Sequence, residues 1–156
     1  MKPALLARLM ELPTFPETGR ELVKVIGLSA AAALIREWPG LEYPVPSIEG
    51  GGCEAGERRF AQLVEVVGEE AALAIIRHYR GVRLYIPNLK AVKNTWEREH
   101  AHQEYERLVM APHRYTHDQA ICEIALKSGV ASRTVERWLE RAPIQSDALR
   151  QQGAFF

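Results

Sequence analysis

Residues 21–46 read ELVKVIGLSAAAALIREWPGLEYPVP, and residues 62–87 read QLVEVVGEEAALAIIRHYRGVRLYIP. A constant offset of 41 aligns the two stretches without a gap, and 11 of the 26 positions are identical. The identities include Leu22/Leu63, Gly27/Gly68, Ala31/Ala72, Arg36/Arg77, Gly40/Gly81 and Pro46/Pro87, while Ile26/Val67, Leu34/Ile75 and Val45/Ile86 are alike in kind. Two helices that merely shared a taste for alanine and valine would not keep the glycines and the closing proline in register. Self-similarity at a fixed period is the mark of a duplicated structural unit.

Both copies parse the same way. A short apolar helix ends at Gly27 or Gly68, and a second helix of about three turns follows. The second helix of the later copy opens on Glu69-Glu70, acids suited to a helix N-terminus. It ends near Gly40 or Gly81, residues suited to a left-handed C-cap. A brief strand follows, Leu41 to Val45 or Val82 to Ile86, stopped by Pro46 or Pro87, with Pro44 marking the first as an edge or distorted strand. One copy is too small to bury both faces of its helices. Either the two copies pack about a pseudo-twofold axis within the chain, forming a pseudo-dimer with antiparallel strands, or each pairs with its counterpart in a homodimer. The segment Ser47 to Glu57, with Gly50-Gly51-Gly52 and Gly56, reads as a flexible linker that permits both.

Working outward, Pro3 to Leu12 predicts a short amphipathic helix with Leu5, Leu6, Leu9 and Met10 along one side. Thr14-Phe15-Pro16-Glu17 reads as a helix start with Pro16 at the first helical position. Past Pro87 the texture changes. Lys90 to Met110 is polar and free of Gly and Pro and predicts one helix, with Val92, Trp96, Tyr105, Leu108 and Val109 as candidate buried positions. Thr116-His117-Asp118 offers an N-cap for a helix through roughly Lys127. Ser128-Gly129-Val130-Ala131 is a turn, and Ser132 is read as the cap of a last helix through about Arg141. The expected fold is mainly α, a tandem helix-helix-strand repeat with a short two-stranded antiparallel ribbon followed by a C-terminal helix-turn-helix domain. The expected division is 1–88 as the duplicated dimerisation-like domain, 89–142 as the helix-turn-helix domain and 143–156 as a polar tail.

Composition narrows the function. The chain has 156 residues with 20 basic and 20 acidic side chains, so its formal net charge is zero. It does not advertise a polyanion partner through bulk charge, and any nucleic-acid contact must come from local placement of Arg and Lys. The longest nearly apolar run, Val25 to Ile35, is 11 residues, against roughly 20 for a membrane-crossing helix. No membrane span and no signal-like leader are expected. Cys53 and Cys122 form neither a CxxC pair nor a disulfide framework, which suits a reducing, cytoplasmic setting.

The segment Glu123 to Leu139, EIALKSGVASRTVERWL, has the spacing of a helix-turn-helix. Small Ala125 sits where two helices touch, and Gly129 sits where the backbone needs a positive φ. Val130 fills the space under the turn. Val135 and Trp138 face back onto the first helix, where Ile121 and Ile124 complete the packing. The free face of the second helix bears Arg133, Thr134 and Arg137, with Glu136 and Arg141 beside them. An α-helix fits the major groove, arginine can bond a guanine edge in bidentate fashion, and threonine can touch a thymine methyl. Ser132 and the unpaired amides of a helix start suit a phosphate. The candidate DNA-binding residues are therefore Ser132, Arg133, Thr134, Arg137 and Arg141. The plain alternative is an ordinary helical hairpin with a solvated basic face, a protein-interaction or assembly module that docks a protein instead of DNA.

Two motifs give the chain a family likeness. Val67-Gly68-Glu69-Glu70-Ala71-Ala72-Leu73 running to Gly81-Val82-Arg83-Leu84-Tyr85-Ile86-Pro87 resembles the dimerisation segment of the Mor family of phage transcription activators, the middle and late activators of Mu-like phages. The Glu123–Leu139 element is similar to that family's helix-turn-helix, so the likeness spans roughly residues 62–141. It implies a homodimeric, phage or prophage DNA-binding activator that works with the host RNA polymerase on double-stranded DNA. It also implies that Arg83 and Tyr85, on the strand, are candidate contacts to the DNA backbone. The chain departs from the pattern in three places. Arg80 stands where the family usually has the first of two glycines. The link from Pro87 to the helix-turn-helix is longer and less basic. The dimerisation unit occurs twice, giving one reading head per pair of units, and Glu42 aligned with Arg83 favours pairing of unlike copies.

Other chemistries find little support. His100, His102, His113 and His117 lack metal-ligand spacing, since residues two apart on a helix do not share a face, and they are expected to be solvated. There is no phosphate loop, no GxSxG, no HExxH and no paired-carboxylate pocket, so no enzyme, metal or cofactor is expected. Cys122 is expected as a small core residue.

Overall fold

The computed structural model describes residues 1–141, and the expected tail at 143–156 lies outside the described residues. The described residues are mainly helical, with 67% of them in helices. Its elements in order are α1 (Pro3–Met10), α2 (Glu17–Glu37), β1 (Glu42–Pro44), α3 (Glu54–Val67), α4 (Glu69–Tyr79), β2 (Arg83–Tyr85), α5 (Lys90–Val109), α6 (His117–Ser128) and α7 (Ser132–Glu140). Backbone packing divides it into a unit spanning Met1–Lys90 and a second that begins at Ala91. No helix among the described residues is long and apolar enough to cross a membrane.

In the first unit the glycines at 27 and 68 do the same local work. Gly27 has φ 83° and ψ 165°, and Gly68 has φ 87° and ψ 163°. A side chain there would have open space around it, so the requirement is the backbone angle itself, which only glycine reaches without strain. Each break redirects the helix so that apolar positions before and after it reach a common core. Leu22 and Leu63, Ala31 and Ala72, Leu34 and Ile75, and Ile35 and Ile76 are all buried. Each fully buried leucine or isoleucine contributes about 1.5–3 kcal/mol relative to exposure. Leu6 and Leu9 of α1 add to this core, and α1 packs against α2.

β1 and β2 pair antiparallel with Tyr43 opposite Leu84, Glu42 opposite Tyr85 and Pro44 opposite Arg83. Val45 N–H donates to the Val82 carbonyl at 3.0 Å, and Ile86 N–H donates to the Leu41 carbonyl at 2.8 Å. Adding 41 to Val45 and Leu41 gives Ile86 and Val82, so the two bonds exchange under the same offset that aligns the sequence. Tyr43 points inward, stacks on Trp38 at 5.2 Å and donates its hydroxyl to the Arg59 carbonyl at 2.7 Å. Burial pushes this phenol up to about 12, against a smaller opposing effect of the Arg59 charge.

Several expectations are corrected. The stretch from Ser47 to Glu57 is not a free linker. α3 begins at Glu54 and takes in Gly56, while Gly50, Gly51 and Gly52 form a tight left-handed run with φ of 78°, 102° and 67°. The Gly51 backbone lies directly against Gly56, leaving no room for a Cβ on either. Glu49 accepts from Arg77 Nε at 2.7 Å, a bond that holds its carboxyl below the usual range. Pro16 is the N-cap of α2 instead of its first helical residue. Val109 is exposed, because its position on α5 faces away from buried Leu108. Cys122 is also exposed, since the buried face of α6 is carried by Ala120, Ile121, Ile124 and Ala125.

The second unit has its own core. Ala101 and Leu108 of α5, Ala120, Ile121, Ile124 and Ala125 of α6, and Val135 of α7 form one buried cluster. Tyr105, Val130, Trp138 and Leu139 pack around it, partly buried.

Candidate nucleic-acid interface

The outer face of α7 is set by how α6 starts and stops. Thr116 caps α6 in a capping box: its hydroxyl accepts from the Gln119 amide, and the Gln119 side chain accepts from the Thr116 amide. Such a box satisfies two helix-start donors at once. α6 ends at Gly129, which is left-handed with φ 66° and ψ 30° and donates to the Ala125 carbonyl. Val130 N–H reaches the same carbonyl at 3.2 Å. The chain reverses there without a side chain having to occupy the left-handed region.

α7 then starts one residue earlier than a Ser132 cap requires. Ala131 is the extended N-cap, Ser132 is the first helical residue, and no side chain caps the helix start. The expectation that Ser132 caps is thus corrected: its hydroxyl stands exposed in the first turn. Val135 is completely buried and anchors the inner face, with Trp138 and Leu139 beside it. Arg133, Glu136, Arg137 and Glu140 are exposed on the outer side, and Thr134 is half-buried. No ion pair among the described residues engages Arg133 or Arg137, so their guanidinium groups are available to a ligand. Arg141 is exposed but lies one residue past α7 in extended backbone, so it does not continue the helical row.

Arg83 and Tyr85 lie on β2 of the first unit. Tyr85 is 47% exposed, and Arg83 reaches Glu42 at 3.9 Å while both side chains remain well solvated. The five α7-region candidates share one helix and its end, and the two strand candidates share one ribbon.

Side chains of α5 hold α6 and α7 in place. His102, half-buried, has its Nε2 at 2.9 Å from both the Trp138 and the Arg141 carbonyl oxygens. Two acceptors fix Nε2 as the protonated nitrogen. Tyr105 hydroxyl and His117 Nδ1 are 2.8 Å apart at the start of α6. Glu104 accepts from Arg107 at 2.7 Å and from Lys127 of α6 at 2.6 Å. These bonds hold its carboxyl down to about 2. The histidines expected to be merely solvated are thus partly structural: His102 and His117 are bonded across elements, while His100 stacks on Trp96 at 5.2 Å. No cluster of His, Cys, Asp and Glu among the described residues is arranged to hold a metal ion.

No family model matches the chain, and neither the curated proteins nor the solved structures give a match.

Proposed function

We propose that this protein is a sequence-specific DNA-binding transcription regulator, a Mor-like activator of phage or prophage type that reads the major groove with α7 as the second helix of a helix-turn-helix. The observation that carries the reading is the division of α7 into two faces. Val135 is sealed into the core, while Arg133 and Arg137, one turn apart, stand exposed and free of carboxylate partners among the described residues. The left-handed Gly129 supports it, because that turn geometry lets α7 leave α6 at an angle. The reading includes a duplication: two copies of a dimerisation segment, 21–46 and 62–87, packed as a pseudo-dimer in the first unit. The matching angles at Gly27 and Gly68 and the exchange of ribbon hydrogen bonds under the offset of 41 support that part.

The test is electrophoretic mobility on duplex DNA at low salt, comparing wild type with the Arg133→Ala/Arg137→Ala double variant. Retardation that weakens in the variant is the expected result. If wild type and variant both migrate without retarding DNA, the reading fails.

A second reading has one observation in its favour. Leu126, on the outer face of α6, is 76% exposed, next to exposed Cys122 one turn earlier. A protein-docking module would use that apolar spot. Under this reading Leu126→Ser abolishes partner capture, and Arg133→Ala leaves it intact.

A further inference from the structure

The duplicated ribbon, with one α7 among the described residues, points to an unusual DNA target. We infer that the chain closes its own dimerisation surface and binds DNA as a monomer, recognising one asymmetric half-site instead of a palindrome. This rests on the DNA-reading proposal above, and goes beyond it in naming the class of target.

Three observations converge. First, the strand pairing is already satisfied within the chain, with Tyr43 opposite Leu84 at its centre and equivalent main-chain bonds on either side. A homodimer formed through the same strands would have to break these bonds. Second, the charges favour unlike pairing. Glu42 and Arg83 occupy equivalent places in the two copies and meet at 3.9 Å. In the same register, β1 paired with a second β1 would set the two Glu42 side chains on the diagonal that Glu42 and Arg83 now share, and β2 paired with β2 would do the same with two Arg83 side chains. Long side chains reach each other across that diagonal, so a pair of like charges there replaces the present attraction with repulsion. Third, the connection is tied down. The Gly51 backbone packs on Gly56, and Arg77 of α4 holds Glu49 of the loop. A compact loop keeps β1 near its own β2, whereas exchange of strands between chains would require it to open.

Among the described residues there is one α7 for this closed pair of copies. Twofold operators with half-sites about 10 base pairs apart are read by two helices related by the protein's own axis. One reading helix occupies a single half-site, so the expected target has no inverted partner.

The experiment uses the full chain in two arms. Sedimentation velocity across about 0.1–10 μM is expected to show only the mass of one chain. A dimer anywhere in that range, by strand exchange or otherwise, overturns the inference irrespective of DNA. In the second arm, sequences are selected from a random duplex pool and the stoichiometry of the selected complex is measured. A single asymmetric site bound one to one supports the inference. A palindrome bound by two chains overturns it while leaving the DNA-reading proposal standing. A pool from which nothing is enriched, with no retardation, overturns both.

Discussion

The imidazole of His102 donates from Nε2 to the main-chain carbonyl of Trp138 at 2.9 Å. The same nitrogen reaches the Arg141 carbonyl, so a residue of α5 closes the C-terminal end of α7, where helix carbonyls otherwise lack donors. His102→Ala is expected to destabilise the second unit by about 1–2 kcal/mol and to raise hydrogen exchange at the end of α7. His102→Gln retains a donor at nearly the same place and is expected to recover most of the loss. Thermal unfolding and amide exchange of the three proteins check this; equal losses for Ala and Gln would show that the donor is not what matters.

Arg133→Ala and Arg137→Ala are expected to leave the melting temperature unchanged, because both side chains are exposed and free of ion pairs among the described residues. Each is expected to weaken DNA binding. A variant that loses a phosphate contact lowers the slope of log K against log salt by about 1, and one that loses a base contact relaxes sequence preference at one position. Affinity measured across a salt series, on selected and scrambled duplexes, separates the two roles.

Gly56→Ala is expected to destabilise the first unit even though alanine is the better helix former. The added Cβ would overlap the Gly51 backbone, and backbone cannot swing aside as a long side chain can. Forced shifts of this kind cost about 1–3 kcal/mol. Denaturant unfolding gives the sign directly: a gain in stability would mean that the loop does not rest on α3.

The Glu104 carboxyl, held at about 2 against an ordinary 4.5, gives the second unit a defined response to acid. It binds its proton more weakly when folded than when unfolded, so it contributes stability above the unfolded value. That contribution declines as pH falls from about 4.5 and is gone below about 2. Its partners Arg107 and Lys127 are half-exposed, so solvent screening reduces the contribution to about 1 kcal/mol. Glu104→Gln is expected to lower stability at pH 7 and to flatten its fall between pH 5 and pH 2. Melting curves over that range check it; parallel profiles for the two proteins would remove Glu104 from the account.

What was legible in the sequence was whatever is encoded locally or periodically. Gly129, the Thr116 cap, the breaks at Gly27 and Gly68 and the two short strands all follow from backbone preference and pattern. The buried face of α6 was legible too: Cys122 lies two residues from both Ala120 and Ile124 and therefore on the opposite side. What could not be read depends on which distant groups meet. His102 and Trp138 are 36 residues apart, and Glu104 and Lys127 are 23 apart. A histidine or glutamate on a polar helix carries no local sign of such a partner. The run of glycines signalled freedom, yet Gly51 and Gly56 are there because two backbones touch.

Where identical chains meet on a twofold axis, the residue at the axis must fit against itself, and every substitution there lands twice. Tyr43 and Leu84 occupy such a central place but differ: a large aromatic residue stands opposite a smaller aliphatic one, both almost wholly buried. With both halves on one polypeptide, a change at residue 43 can be answered by a single, different change at residue 84. Under the proposed duplication, the centre of the ribbon is released from self-complementarity, and its two sides can be tuned separately.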